Sequence, residues 1–150
     1  MTPEEMAQWI RREHDMVEEL AHRLGEQVAV VPRCNCGPWI QATRDHVGRF
    51  RDHLRKHFTL EEEGGYLEAV IDRQPGLTAE VERLRHEHDE LGHLLDAIHV
   101  ALSRTGENDR LLISDCCFRL QNVLKYLKDH EERENLMVIS VFTDDLGTKD

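Results

Sequence analysis

Two short runs of this chain carry the residue types that could do chemistry, His57-Phe58-Thr59-Leu60-Glu61 and its near copy His130-Glu131-Glu132-Arg133-Glu134. On an α-helix, residues four apart rise about 6 Å and share one face, so each run aims an imidazole and a carboxylate at one point. Two such pairs can hold two metal ions. A single helical His-x-x-x-Glu is a common surface pattern, and it is the repetition that gives this one weight.

Each run is preceded by a further histidine in a matching context. His14 stands 43 residues before His57 in Glu13-His14-Asp15, and His88 stands 42 residues before His130 in Glu87-His88-Asp89. The chain thus reads twice as Glu-His-Asp, a long interval, then His-x-x-x-Glu, with the copies offset by 73 or 74 residues, which is the mark of a duplicated helical hairpin. Four imidazoles with two carboxylates suit iron, manganese or zinc, since imidazole serves all the late metals and a carboxylate can bridge two ions. The competing reading makes these residues core histidines paired with glutamates in a purely structural bundle, and that reading gives no reason for the pattern to occur twice.

The elements that position these groups follow from composition and periodicity. At 150 residues the chain is long enough for a sizeable core, and a single domain over 1–150 is expected, its core spanning about 3–138 before a polar C-terminal tail. A third of the residues are charged, 5% are aromatic and four are proline, which favours an all-α fold. The net charge of −11 opposes binding to nucleic acid or anionic membranes. Neither a leader-like basic and apolar start nor a run of roughly 18 apolar residues is present, so a soluble, cytoplasmic protein is expected. Cys34, Cys36, Cys116 and Cys117 are too few and too closely spaced for a secreted disulfide framework and are read as free thiols in a reducing compartment.

Thr2-Pro3-Glu4-Glu5 is a capping box that starts the first helix, whose apolar stripe Met6, Ile10, Val17, Ala21 and Leu24 contains His14. Prolines 32 and 38 and Gly37 mark the first connection, with Pro38 opening the second helix. Along that helix His46, Phe50, His53, His57 and Glu61 form the expected inward stripe, and His53 is a candidate partner standing behind the ligands. Gly64-Gly65 ends it, Tyr66–Asp72 is expected to make a short helical turn, and Thr78 to cap the third long helix. There the stripe is Val81, Leu84, His88, Leu91, Leu95 and Ile98. The fourth long helix points Cys116, Leu120, Val123, Leu127, His130, Glu134 and Met137 inward, with Tyr126 as a candidate hydroxyl one turn before His130. Beyond Ile139 the helical pattern is expected to give way to a fraying tail.

Four amphipathic helices with short connections make an up-down-up-down four-helix bundle, in which inward side chains of all four helices can meet at one level. The predicted metal ligands are His14, His57, Glu61, His88, His130 and Glu134. A rival set, Glu19-x-x-His22 with Glu90-x-x-His93, has the spacing of ferritin-like di-iron bundles but falls on the polar faces of its helices.

These motifs, from His14 to about Leu136, resemble those of the hemerythrin-like or HHE cation-binding domains, four-helix bundles that carry a non-heme di-iron centre. The resemblance implies two iron ions, oxo- or hydroxo-bridged, with His14 and His57 serving one, His88 and His130 the other, and Glu61 and Glu134 bridging. The chain departs from the oxygen-carrying members in two places. Leu84 and Gly92 stand where a second inward histidine would accompany His88, and the last carboxylate is a glutamate four residues after His130, not an aspartate five after it. Both departures are similar to bacterial HHE proteins, including iron-centre repair proteins, and to the iron-sensing domains of ubiquitin ligases, and they point away from simple reversible oxygen carriage. With thirteen residues before His14, the extra N-terminal domain of many repair proteins is not expected.

Four imidazoles and two bridging carboxylates fill about eight of the ten to twelve positions that two such ions want, leaving room for a small ligand. The leading expectation is a protein that binds or senses dioxygen, nitric oxide or peroxide. A redox enzyme acting on peroxide or nitric oxide, or a module that stores or senses iron, are the alternatives, and no reductase domain is visible in the sequence.

Overall fold

A computed structural model describes residues 2–63 and 65–147. Four long helices and one short one make up the chain: α1 (Pro3–Ala29), α2 (Cys36–Glu62), α3 (Tyr66–Arg73), α4 (Thr78–Ser103) and α5 (Arg110–Gly147), with no strand among the described residues. The all-α four-helix bundle expected from the sequence is what forms.

Local signals account for most of the boundaries. Thr2 caps α1 through its hydroxyl, which accepts from Glu5 N, while the Glu5 carboxylate accepts from Thr2 N at 2.7 Å, the reciprocal pair of a capping box. Asn35 takes the left-handed conformation (φ 55°) that turns the chain into α2, so this helix begins at Cys36, two residues before Pro38. Pro38 falls in the first turn, where its missing N–H costs nothing. Thr78 is not a cap. A 3-10 turn at Pro75–Leu77 runs directly into α4, and the Thr78 hydroxyl donates back to the Pro75 carbonyl at 2.6 Å.

The C-terminal expectation is also corrected. Helix α5 continues to Gly147, and Val141 and Phe142 are as buried as any core residue. Polar Ser140, Thr143, Asp144 and Asp145 dilute the apolar pattern there, but Met137, Val138, Val141 and Phe142 keep one stripe facing the short helix α3 and hold the last turns in place. The last three residues of the expected tail lie outside the described residues.

Helix α1 packs on α2 and α5, and α4 packs on α2 and α5, so the long helices form a closed ring of neighbours. Two apolar clusters fill it. One runs from Val28, Cys36 and Leu102 through Leu24, Leu95 and Leu120 to Val17, Leu54, Phe58, Leu91 and Leu127. The other joins Ile10, Val81, Leu84 and the end of α5 to Tyr66, Leu67 and Val70 of α3, which closes that end of the bundle. Between them, at one level on all four long helices, lie the buried polar residues His14, His57, Glu61, His88, His130, Glu131 and Glu134.

The stripe of α2 differs in detail from its expected course. It runs Val47, Phe50, Leu54, His57, Phe58 and Glu61, leaving His46 and His53 half-buried on its edges. At 3.6 residues per turn His53 and His46 fall on the opposite side of His57 from Val47, Leu54 and Phe58, so His57 stands at the edge of the core face and the two other histidines lie beyond it.

The turn from α2 into α3 depends on glycine for space. A Cβ on Gly65 would stand 2.2 Å from the Leu60 carbonyl oxygen and 2.4 Å from that of Glu61, both backbone atoms that cannot swing aside. Gly65→Ala is therefore expected to lose about 1–3 kcal/mol of stability by overpacking, read as a lower urea midpoint. An unchanged midpoint would show that the turn has slack the structure does not display.

Candidate metal centre

The buried histidines are placed by helix periodicity, and each points its Nε2 inward at two shared carboxylates. His57 Nε2 lies against Glu61 Oε1 and His130 Nε2 against Glu134 Oε1, each pair four residues apart on one helix. His14 Nε2 is 3.3 Å from Glu61 Oε1 and 3.1 Å from Glu134 Oε2. His88 Nε2 is 3.0 Å from Glu134 Oε1 and 3.2 Å from Glu61 Oε2. Each carboxylate therefore faces histidines from both halves of the duplication. The six predicted ligands come together in two overlapping groups, His14, His57 and Glu61, and Glu61, His88, His130 and Glu134, with the donor atoms of each group within 4.8 Å of one another.

The outward nitrogens of the four imidazoles are also provided for. His14 Nδ1 shares a hydrogen bond with Asn135 Oδ1 at 2.6 Å, and His130 Nδ1 with Glu87 Oε1 at 2.7 Å, a carboxylate further held by Arg133. His57 Nδ1 stands 3.6 Å from Glu13, and His88 Nδ1 3.5 Å from Glu62. A hydrogen-bonded partner behind a ring fixes its orientation and tautomer and raises its basicity toward a metal, and His14 and His130 have one, while the carboxylates of Glu13 and Glu62 stand near His57 and His88 without a hydrogen bond. The glutamate of each Glu-His-Asp thus serves the histidine of the next long helix, Glu13 that of α2 and Glu87 that of α5.

Electrostatics show how unusual this layer is without an ion. Burial alone would lower the pKa of His14, but contacts with Glu134 and Glu61 outweigh it and raise it to about 11. The same balance raises His88 to about 10, and His57 and His130 are raised as well. Burial pushes Glu134 up, yet His130, His14 and His88 pull it well below the usual carboxylate range. Burial raises Glu131 to about 7, only partly offset by His14 and His57.

A fit to metal is read from the atoms the protein leaves unsatisfied. Buried atoms on the inward side without a hydrogen-bond partner include His57 Nε2, Glu61 Oε2, His130 Nε2 and both oxygens of Glu131, all in this one layer. Orphaned buried polar atoms are costly and rare, and a cluster of nitrogen and oxygen donors aimed at common points is the arrangement a cation would relieve.

Other candidates fall elsewhere. Tyr126 is 53% exposed on the rim of a groove between α4 and α5 that reaches the outer side of His130, so it is not a buried hydroxyl at the centre. That part is taken by Tyr66 of α3, fully buried, whose hydroxyl donates to Glu134 Oε2. Burial and the nearby Glu134 push the Tyr66 pKa well above its ordinary value, so it stays a donor. His53 remains half-buried one turn before His57, with a buried Nε2 that lacks a hydrogen-bond partner. Of the rival set, His22 is 72% exposed and paired with Glu26, Glu19 pairs with Arg23 in solvent, and Glu90 lies near exposed His86. The sequence reading missed Tyr66, Glu131 and Asn135. Position pointed to the last two, beside His130 and Glu134, but nothing local pointed to Tyr66.

A bundle whose four long helices each contribute buried imidazole or carboxylate to one layer defines a metal-binding helical protein. Comparison with known families agrees: the model of the hemerythrin HHE cation-binding domain matches residues 5–141, nearly the whole chain, and the chain belongs to that family. No curated protein and no solved structure matched it. None of the described helices is long and apolar enough to cross a membrane.

The raised histidines give a pH dependence with a definite sign. In metal-free protein the folded state holds protons that the unfolded chain releases near pH 6.5, so stability should fall as pH rises from about 6.5 toward 10–11, the values of His88 and His14. Glu131 adds a fall between its ordinary value of 4.5 and about 7. Chelator-treated protein is therefore expected to melt lower at pH 9 than at pH 6. Since ligands must be deprotonated, metal loading at pH 7 should release protons, measurable in a weakly buffered solution. Loading without proton release would mean that His14 and His88 are not ligands.

Proposed function

We propose that this chain is a non-heme di-iron protein that binds or senses a small ligand such as dioxygen, nitric oxide or peroxide. The observation that carries this reading is the sharing of both carboxylates. Glu61 turns Oε1 toward His14 and His57 and Oε2 toward His88, while Glu134 turns Oε1 toward His88 and His130 and Oε2 toward His14. Carboxylates divided in this way suit two ions side by side, with His14 and His57 on one, His88 and His130 on the other, and Glu61 and Glu134 bridging. Mixed imidazole and carboxylate donors suit iron, and the family is one of cation-binding domains.

Iron held by these residues would supply electrons and open coordination positions to a small ligand. The residues do the rest. Helices α2, α4, α1 and α5 fix the four rings, the hydrogen-bonded outward partners hold the tautomers of His14 and His130, and the apolar clusters on either side exclude bulk water from the layer. Tyr66 offers a hydroxyl proton at Glu134 Oε2. A cleft of about 280 Å³ between α1 and α5, lined by His14, Ala21, Leu127, Glu131 and Asn135 among others, leads from solvent to one side of the centre and is a suitable entrance for a molecule of a few atoms.

Purified protein is expected to carry two iron ions per chain and to show near-ultraviolet charge-transfer bands after exposure to air that disappear on reduction. Nitric oxide or dioxygen added to the reduced form should change the spectrum without being steadily consumed; steady consumption would convert the reading to that of an enzyme. Glu61→Ala and Glu134→Ala should each drop metal content well below two. Full occupancy in both variants would sink the bridging assignment.

A further inference from the structure

Helix α5 turns one face to the ligand layer and carries an uncovered stripe on the other. Phe118, Asn122, Lys125, Asp129, Glu132 and Leu136 recur along that stripe at intervals of three and four residues, the spacing of a single helix face. Phe118 is 64% exposed and Leu136 is 70% exposed. They stand 18 residues apart, which is five full turns, so both point the same way from places about 27 Å apart. Single exposed apolar residues are ordinary, and what distinguishes this pair is the charge that lies between them.

Lys125 and Asp129 occupy the middle of the stripe, both exposed, and neither belongs to an ion pair among the described residues. They are four apart on one helix with the base first, the weaker order for such a pair. One stretch earlier on the same helix the acid comes first, and there Asp115 and Arg119 do pair, at 2.9 Å. The charges of the stripe are therefore open to a partner outside the chain.

Antiparallel pairing of this face with a second copy of itself, about a twofold axis level with Leu127, answers all four positions at once. Phe118 of each copy meets Leu136 of the other at the two ends, and Lys125 of each meets Asp129 of the other beside the axis. Sliding one copy by a heptad sets Asp115 against Glu132, and sliding it the other way sets Asp129 against Glu132, so the neighbouring registers are opposed by like charge. With a formal net charge of −11 two copies repel at a distance, which favours contact where both signs are displayed together.

We propose that the outward face of α5 is a self-association surface that joins two copies of this chain antiparallel through Phe118, Lys125, Asp129 and Leu136. One helix face is a small interface, so the dimer is weak and concentration-dependent. The inference does not depend on which metal the buried layer holds. It bears on access to that layer all the same: Asp129 lines the groove between α4 and α5, and Glu132 lines the cleft between α1 and α5, so a docked copy borders both openings.

Sedimentation velocity of the full chain from micromolar to millimolar concentration tests this. Wild-type protein is expected to pass reversibly from monomer to dimer. Lys125→Glu sets a glutamate against Asp129 twice, and Asp129→Lys sets a lysine against Lys125 twice, so each change alone should weaken the dimer by roughly 10-fold or more. The two variants mixed in equal amounts should associate with each other, because every charge contact across the axis is then between opposite signs. Phe118→Ser should also weaken association, whereas Val30→Ser, at a residue 76% exposed after the end of α1, should not. Helical circular dichroism checks that each variant is folded. A wild-type chain that stays monomeric overturns the proposal, and so does a dimer that survives both single charge reversals or a mixture of the two variants that fails to associate.

Discussion

Burying four imidazoles and three carboxylates at one level of a helical bundle is the constraint on which the rest of this structure depends. Apolar clusters lie on either side of the layer, so bulk water screens its charges only weakly. The protein manages part of the problem itself by setting a carboxylate near every inward nitrogen and a polar group behind every ring. What remains is a set of buried donors with no partner, concentrated in the same layer. A purely structural network of this size would be expected to close on itself, since a half-satisfied one is worse than an apolar core. The incompleteness is therefore informative, and it points to an ion.

Duplication explains how one sequence builds such a layer economically in residues. A helical hairpin that contributes a histidine from one helix and a His-x-x-x-Glu from the next supplies half a centre. Two copies packed as a ring complete it, and the carboxylate of each half reaches the histidines of the other. The reach runs outward too, because Glu13 and Glu87 serve rings on the neighbouring helices. Coupling of this kind means that the halves are not separately functional, and that the packing of α1 on α5 and of α2 on α4 sets the geometry of the centre as much as the ligands do.

The sequence made the buried polar layer legible because helix periodicity and repetition act on the same residues. His14, His57, His88 and His130 lie on apolar stripes, where a polar residue stands out, and the repeat interval ties them into one pattern. Residues around the ligands were legible only when they were sequence neighbours. Tyr66 was not, because its place depends on how closely Gly65 lets the chain turn against the carbonyls of Leu60 and Glu61, a steric matter between backbone atoms that no pattern of side chains reports. Tyr126 looked suitable on spacing alone, yet four residues before His130 on α5 the side chain has already turned to the rim of a groove. The end of α5 was misjudged for a related reason: Val141 and Phe142 are held by α3, an element too short to declare its packing partners in advance.

Helix α3 also ties the stability of the bundle end to the chemistry of the centre. Leu67 and Val70 fill the apolar cluster below the ligand layer, and on the same short helix Tyr66 donates its hydroxyl to Glu134, a residue shared by both halves. Any movement of α3 must therefore either carry the hydroxyl away from that carboxylate or drag the carboxylate with it. Gly65 turns close against the backbone of the last turn of α2, which bears Glu61, so the same short helix starts beside the other shared carboxylate's residue. The short helix therefore joins the ligand layer to the apolar bundle end through one buried hydrogen bond, with Leu67 and Val70 on one side of it and Glu134 on the other.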